Sequence, residues 1–302
     1  MRNAPLRGFT RLLIWLVQLL PRQSALALGG NLARLVWILM PRWRATSVRN
    51  LELFYKDELT AQQRIDIGRQ AAINLGYHVV EFIQMGHLPV ESTLGMVVES
   101  EGEEHLHRAL AAGHGAIGLA LHYGNWEMCG AYLSMKVHPV SAVGKEQRDD
   151  FFTQLAFPWR ARYGIRNIMA GDKVSSAIVR ALKANSVLGL LADQNGGRSG
   201  TFAPFCGIEA STVAGPAALA LKFGSPLLIV YCKRLAPGRF KFVIEAPLDV
   251  SGLPSDRDMA IRELLTRVNA AYERVIRRDP SQWLWGHKRW KTRPPGERPL
   301  YG

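Results

Sequence analysis

The residues best placed by type and spacing to do chemistry are an imidazole and, five positions later, a carboxylate: His122 and Glu127, in the stretch Ala116-Ile-Gly-Leu-Ala-Leu-His-Tyr-Gly-Asn-Trp-Glu127. A carboxylate beside an imidazole fixes its tautomer and stabilises the charge formed when the other ring nitrogen accepts a proton, which is what a general base for a hydroxyl nucleophile requires. On one continuous helix, positions i and i+5 point well apart. Across a strand that runs out at His122, a tight turn at Gly124 and a helix that begins near Asn125 or Trp126, the two side chains can converge. The plain alternative is a histidine closing a strand end and a glutamate stabilising a helix N-terminus. Spacing alone does not choose between them.

The elements that would position this pair follow from the apolar pattern. Residues 96–100, 116–121, 139–143, 165–169, 186–192, 226–233 and 239–246 read as strands, the last as an antiparallel hairpin partner of the one before it after Pro237-Gly238. Residues 103–112, 126–136, 149–163, 173–184, 212–223 and 256–278 read as helices between or after them. Residues 60–86 read as one long helix, with Thr60 and Gln63 as a capping box and Ile65, Ala72, Leu75, Val79, Phe82 and Ile83 at helical spacing. Strands alternating with helices argue for an α/β fold, a layered mixed and largely parallel sheet flanked by helices. In such sheets ligands bind at the carboxyl ends of strands, where His122 falls.

Charge and cysteine content narrow the function classes. The 302 residues carry a formal +13 and 48% are apolar, which excludes a disordered chain. Residues 1–50 hold eight Arg and no acid, and residues 281–302 hold five Lys or Arg and one acid, so the 230 between are nearly neutral. Basicity confined to the ends argues against a general nucleic-acid-binding surface. The C-terminal WLWGHKRWKTRPPGER alternates aromatic and basic residues, which fits stacking on nucleic acid but fits a lipid or acidic-protein surface better, or ordinary core packing for Trp283, Trp285 and His287. Cys129, Cys206 and Cys232 form no metal-site spacing, no metal is implied, and a reducing compartment fits best.

Two apolar stretches, Phe9 to Leu20 and Ser24 to Met40, lie on either side of Pro21 and are bordered by arginines. Neither reaches the ~20 residues of a clean membrane span. Ala25-Leu26-Ala27 imitates a signal cleavage site. The favoured expectation is a pair of membrane-associating helices lying in the interface, with Trp15, Trp37, Trp43 and the arginines at headgroup level; a helical subdomain packed on the rest is compatible with it. The expected division is an anchor over residues 1–45 and a catalytic domain over residues 46–302.

The wording around His122 adds a family. HYGNWE resembles the HFGNWE block of the bacterial lipid A late acyltransferases, within the glycerolipid acyltransferases that share an H-x4-D/E motif. The resemblance continues in Arg49-Asn50-Leu51-Glu52, in Gly189-Leu-Leu-Ala-Asp-Gln-Asn195, in Thr201-Phe-Ala-Pro-Phe-Cys-Gly207 with Thr212, and in Pro280-Ser-Gln-Trp-Leu-Trp-Gly-His-Lys-Arg-Trp-Lys-Thr-Arg-Pro294. It implies transfer of a fatty acyl group from acyl carrier protein or acyl-CoA to a lipid hydroxyl, at the cytoplasmic face of a bacterial inner membrane, without a cofactor. Carried onto this chain, His122 would be the base, Glu127 would orient and charge-balance it, and Asp193 would shape the site or position substrate. Gly124, Asn125, Lys145 and Gln194 would contact substrate, and a backbone N–H of the Tyr123-Gly124-Asn125 turn, or a basic side chain, would receive the oxyanion. Lys145 stands where the family usually has Arg, and a later Arg near Met169-Ala-Gly-Asp172 is absent. Lys lacks the bidentate fork for phosphate, which leaves room for an acceptor other than phosphorylated lipid A: a lysophospholipid, an aminolipid or another glycolipid. A non-catalytic lipid-binding homologue is the rival class.

Overall fold

A computed structural model describes residues 4–144, 151–169 and 174–301. Prolines partition the N-terminal third. α1 (Ala4–Leu19) ends before Pro21, α2 (Arg22–Leu39) follows it, and α3 (Pro41–Tyr55) opens with Pro41, whose missing N–H costs nothing in a first turn. α3 runs unbroken across residue 45. α4 (Ala61–Met85) starts at the capping box that its sequence announces, with Thr60 and Gln63 each bonded to the other's backbone N–H. Among the described residues no single helix is long and apolar enough to cross a membrane; α2 and the segment from Pro41 to Glu58 pass that test only jointly, bent by 92°.

The remainder alternates: α5 (Val90–Leu94), β1 (Val97–Glu101), α6 (Glu103–Leu110), β2 (Ala116–Gly124), α7 (Trp126–Tyr132), β3 (Val140–Gly144), α8 (Phe151–Arg162), β4 (Arg166–Met169), α9 (Val174–Lys183), β5 (Val187–Leu191), β6 (Thr201–Phe205), β7 (Ile208–Thr212), α10 (Gly215–Phe223), β8 (Leu227–Ala236), β9 (Arg239–Ile244) and α11 (Arg257–Arg278). Seven strands form one sheet in the order β1-β9-β8-β2-β5-β3-β4. Every neighbouring pair is parallel except the β8–β9 hairpin. The expected mixed, largely parallel α/β sheet flanked by helices is thus the architecture found.

Alternation along β2 sorts its side chains between two cores. Ile117, Leu119, Leu121 and Tyr123 join α3, α9, α10 and α11 on one face. The other face packs on α4, α6 and α7 through larger residues of neighbouring strands, such as Leu228, Val230 and Phe242. On that face β2 and β5 place the small residues Gly118, Ala120 and Gly189 at the middle of the sheet, and these line a slot of about 90 Å³ beneath α7 and α8.

Among the strands, the sequence reading missed one hairpin. Residues 201–212 form the antiparallel hairpin β6–β7, and the helix expected from residue 212 begins at Gly215. Cys206 and Gly207 both have positive φ, 54° and 73°, which is the two-residue turn that closes a hairpin.

Candidate active site

β2 and β5 are parallel neighbours with Ala120 opposite Leu191, so two residues further on His122 and Asp193 leave the sheet side by side. The imidazole Nδ1 lies 2.7 Å from Asp193 Oδ1, and the His122 backbone N–H donates to Oδ2 at 2.9 Å. The same Oδ2 accepts from the Trp283 indole N–H at 2.8 Å. Asp193 is only 1% exposed, and burial alone would push its carboxyl up. The neighbouring imidazole and these hydrogen bonds more than offset that, holding the pKa below the usual aspartate value. An ionised carboxylate only accepts, so Nδ1 carries the proton and Nε2 the lone pair. Nε2 has no hydrogen-bond partner among the described residues, and the ring is 18% exposed.

The carboxylate on His122 is therefore Asp193, not Glu127. Glu127, in the first turn of α7, gives both oxygens to Arg160 of α8 in a two-bonded fork, with Nε at 2.8 Å and Nη2 at 2.5 Å. The expected His122–Glu127 contact gives way because the turn at Gly124 swings α7 over the slot, where the guanidinium waits. Pairing with Glu127 outweighs burial and raises the Arg160 pKa, so the guanidinium stays charged. Its Nη1 has no partner among the described residues.

The turn itself is over-determined. Gly124 has φ +58°, and a Cβ there would lie 2.0 Å from the Cys232 carbonyl. Asn125 caps α7 by accepting from Met128 N–H at 2.9 Å, and its amide donates to Glu81 at 2.9 Å. Glu81 is in turn clamped to Arg234 of β8, so the turn is tied to α4 and the sheet together. The Asn125 N–H is taken by Cys232 O at 3.0 Å and is not free to receive an oxyanion.

Trp126 stands over the pair, its ring 5.1 Å from that of His122 and 3.5 Å from that of His78. Burial, aided by Arg234, pushes the His78 pKa well below the imidazole range, so His78 is neutral. The C-terminal segment closes the other side: Leu284 N–H donates to His122 O at 2.9 Å, and His287 Nε2 accepts from Asn195 N–H at 3.3 Å. Gln194 is half-buried between these contacts. Lys145 and Ala170-Gly-Asp172 lie outside the described residues. Sequence reasoning missed Trp283 and Arg160 as parts of the site. Trp283 was visible within a matching block but not attributable to Asp193, and nothing in the sequence links Arg160 to Glu127, 33 residues earlier.

Three recesses meet here. The small one at His122 is lined by Asn74, Leu75, Gly124, Trp126 and Trp283. It shares Trp126 with the slot on the same face of the sheet, which Glu127 and Arg160 also line. It shares Leu75 with an apolar groove of about 370 Å³ between α2 and α4.

Residues 8–292 match the family described as bacterial lipid A biosynthesis acyltransferase. The chain is 28% identical to the lipid A biosynthesis palmitoleoyltransferase of Escherichia coli, over 95% of this chain and 92% of that protein. It is 26% identical to the lipid A biosynthesis lauroyltransferase of the same organism, over 94% and 90%. A shorter match, 30% identical over 43% of this chain and 42% of the other, joins it to a phosphatidylinositol mannoside acyltransferase of Mycobacterium tuberculosis. With an imidazole–carboxylate pair at the strand ends and apolar cavities on both sides of it, the chain belongs to the bacterial lipid A biosynthesis acyltransferase family and is an acyltransferase.

Proposed function

We propose that the protein moves a fatty acyl group from a thioester, carried by acyl carrier protein or CoA, to a hydroxyl of a lipid A-type glycolipid at the cytoplasmic face of the bacterial inner membrane. The observation that carries this reading is the His122–Asp193 pair, with Nε2 unpartnered between two apolar cavities. His122 Nε2 takes the proton of the acceptor hydroxyl as its oxygen attacks the thioester carbon. Asp193 holds the ring and balances the imidazolium, and Trp283 holds Asp193. The new C–O bond gives a tetrahedral oxyanion, which collapses with cleavage of the C–S bond, and the imidazolium returns the proton to the departing sulfur. Arg160, fixed by Glu127, is the cation offered to the oxyanion, because the Asn125 amide is already spent. The donor chain runs into the slot floored by Gly118, Ala120 and Gly189. Acidic carrier proteins would be steered by the basic ends of the chain.

Membrane attachment in this reading rests on the apolar side chains that α1 and α2 leave exposed, among them Phe9, Leu12, Trp15, Leu32, Leu35 and Ile38, bordered by arginines without acidic neighbours in sequence. The test is transfer from labelled acyl carrier protein thioester to under-acylated lipid A by detergent-solubilised protein, beside His122→Ala. Product that depends on His122 supports the reading. The mannoside acyltransferase match favours one second reading, the same chemistry on a mannosylated phospholipid, and that acceptor belongs in the same assay.

A further inference from the structure

A row of aromatic rings runs from α8 to the imidazole of His122. Trp159, the residue before Arg160, packs edge-on against Phe82 of α4 with ring centres 5.2 Å apart. Phe82 lies within 7° of parallel to His78 at 6.5 Å, His78 meets Trp126 at 3.5 Å, and Trp126 stands edge-on to His122 at 5.1 Å. His78 and Phe82 are one turn apart on α4, so both present to the same side of that helix. Trp126 is thereby supported from behind, and its backbone is held from both ends. Asn125 before it caps α7 and bonds to Glu81, and Glu127 after it is forked to Arg160. His78 contributes a ring, not a charge: it is buried, its Nδ1 has no hydrogen-bond partner, and burial keeps it neutral.

Trp126 alone among the lining residues borders both the recess at His122 and the slot beneath α7 and α8. The slot holds about 90 Å³ and the recess only about 10 Å³. A water needs roughly 10–15 Å³ on this measure, so the space beside His122 is filled by a single solvent molecule. That tightness matters because the base is indiscriminate: Nε2 accepts a proton from water as readily in principle as from a lipid hydroxyl. With water as nucleophile, its oxygen bonds to the thioester carbon, Nε2 takes its proton, the C–S bond breaks and the imidazolium returns the proton to sulfur. The products are free fatty acid and thiol, and the acyl group is wasted. Transfer therefore depends on keeping solvent from the thioester carbon.

We propose that Trp126 is the specificity-determining residue that separates transfer from hydrolysis. Its indole closes the junction between the slot and the His122 recess to solvent, the two reacting groups meet at its edge, and His78 is the positioning residue that holds it there. The inference deepens the reading of the site as an acyltransferase and rests on it.

The test follows labelled acyl carrier protein thioester in the presence of under-acylated lipid A, with the full chain in neutral maltoside micelles, and counts free fatty acid against acylated lipid. The ratio of acid to acylated lipid is expected to be about tenfold higher for Trp126→Ala than for the wild type, with the excess acid gone when His122→Ala is added. His78→Ala, which leaves the indole unsupported, moves the ratio the same way, and His78→Phe, which keeps a flat ring, returns it to the wild-type value. An unchanged ratio in Trp126→Ala, excess acid that survives without His122, or a His78→Phe ratio as high as that of His78→Ala would overturn the proposal. Thiol labelling reads the partition apart from catalysis, because Cys129 lines the slot and Cys232, equally buried, does not. With neutral methyl methanethiosulfonate, Cys129 is expected to label about tenfold faster in Trp126→Ala than in the wild type, and Cys232 at the same rate in both. Cys129 labelled alike in the two proteins, or Cys232 accelerated as much as Cys129, would also overturn it. His122-dependent transfer by the wild type with an unchanged ratio sinks only the partition. Selective labelling of Cys129 without turnover by any preparation sinks the catalytic reading and leaves the partition standing.

Discussion

In the proposed reaction the imidazole of His122 depends on one buried carboxylate, that of Asp193. Asp193→Asn keeps the size of the side chain but presents an amide to a ring that needs an anion, so the tautomer and the imidazolium both lose support. We expect kcat to fall by about 10³-fold, in the range of a general-base contribution, with KM changed far less. Trp283→Phe removes one of the bonds holding Asp193 and is expected to lower kcat by a smaller factor while leaving the fold intact. Glu127→Gln acts elsewhere, on Arg160: it strands a largely buried guanidinium, and a stability loss of about 3 kcal/mol should be seen in urea unfolding. Protonation equilibria add a pH dependence with a definite sign. His78 and His287 are held below the ordinary imidazole value, both chiefly by burial. Between the folded and unfolded values the unfolded chain binds protons that the folded one refuses, so stability rises with pH. The thermal midpoint should therefore drop as pH falls below about 6.5. The Asp193 contribution has the same direction at lower pH, being present above the unfolded carboxylate value of about 3.9 and lost as pH falls through the depressed folded value.

At the level of elements, the turn between β2 and α7 aims the site, and only glycine fits it. Gly124→Ala places a Cβ against the Cys232 carbonyl at a positive φ, and should cost about 2 kcal/mol or more with loss of transfer activity. Most of this framework was legible in the sequence. Seven apolar runs became the seven strands of the main sheet, and the capping box at Thr60 marked the start of α4, because local patterns of this kind report burial on one face of a strand or helix. The β6–β7 hairpin was not legible: Pro204 interrupts its first strand, and Cys206 is an unusual residue for a positive-φ turn position. Gly215-Pro216, a helix-start signal, was available and fixes where α10 begins. The partner of His122 was beyond a local reading for a different reason. Asp193 is 71 residues away, and only the adjacency of β2 and β5 in the sheet makes the two neighbours, whereas the nearer Glu127 is claimed by Arg160 of a third element.

For the molecule as a whole, α1 and α2 present one apolar face, which in the proposed reading meets a bilayer. The groove between α2 and α4 opens beside that face, with Leu32, Val36 and Val79 exposed along it. Replacing Leu12 and Leu16 of α1 together by Gln should shift the protein from vesicles containing anionic lipid toward the soluble fraction in a flotation assay, and salt should weaken what remains. The central claim, that His122 supported by Asp193 transfers an acyl group between two substrates held on opposite sides of it, is tested most directly by one assay. Purified protein, labelled acyl carrier protein thioester and under-acylated lipid A are combined, and initial rates are compared for the wild type, His122→Ala and Asp193→Asn. The account predicts acylated lipid from the wild type, none above background from His122→Ala, and a rate lowered by about 10³-fold from Asp193→Asn. Wild-type rates retained by either variant would contradict it.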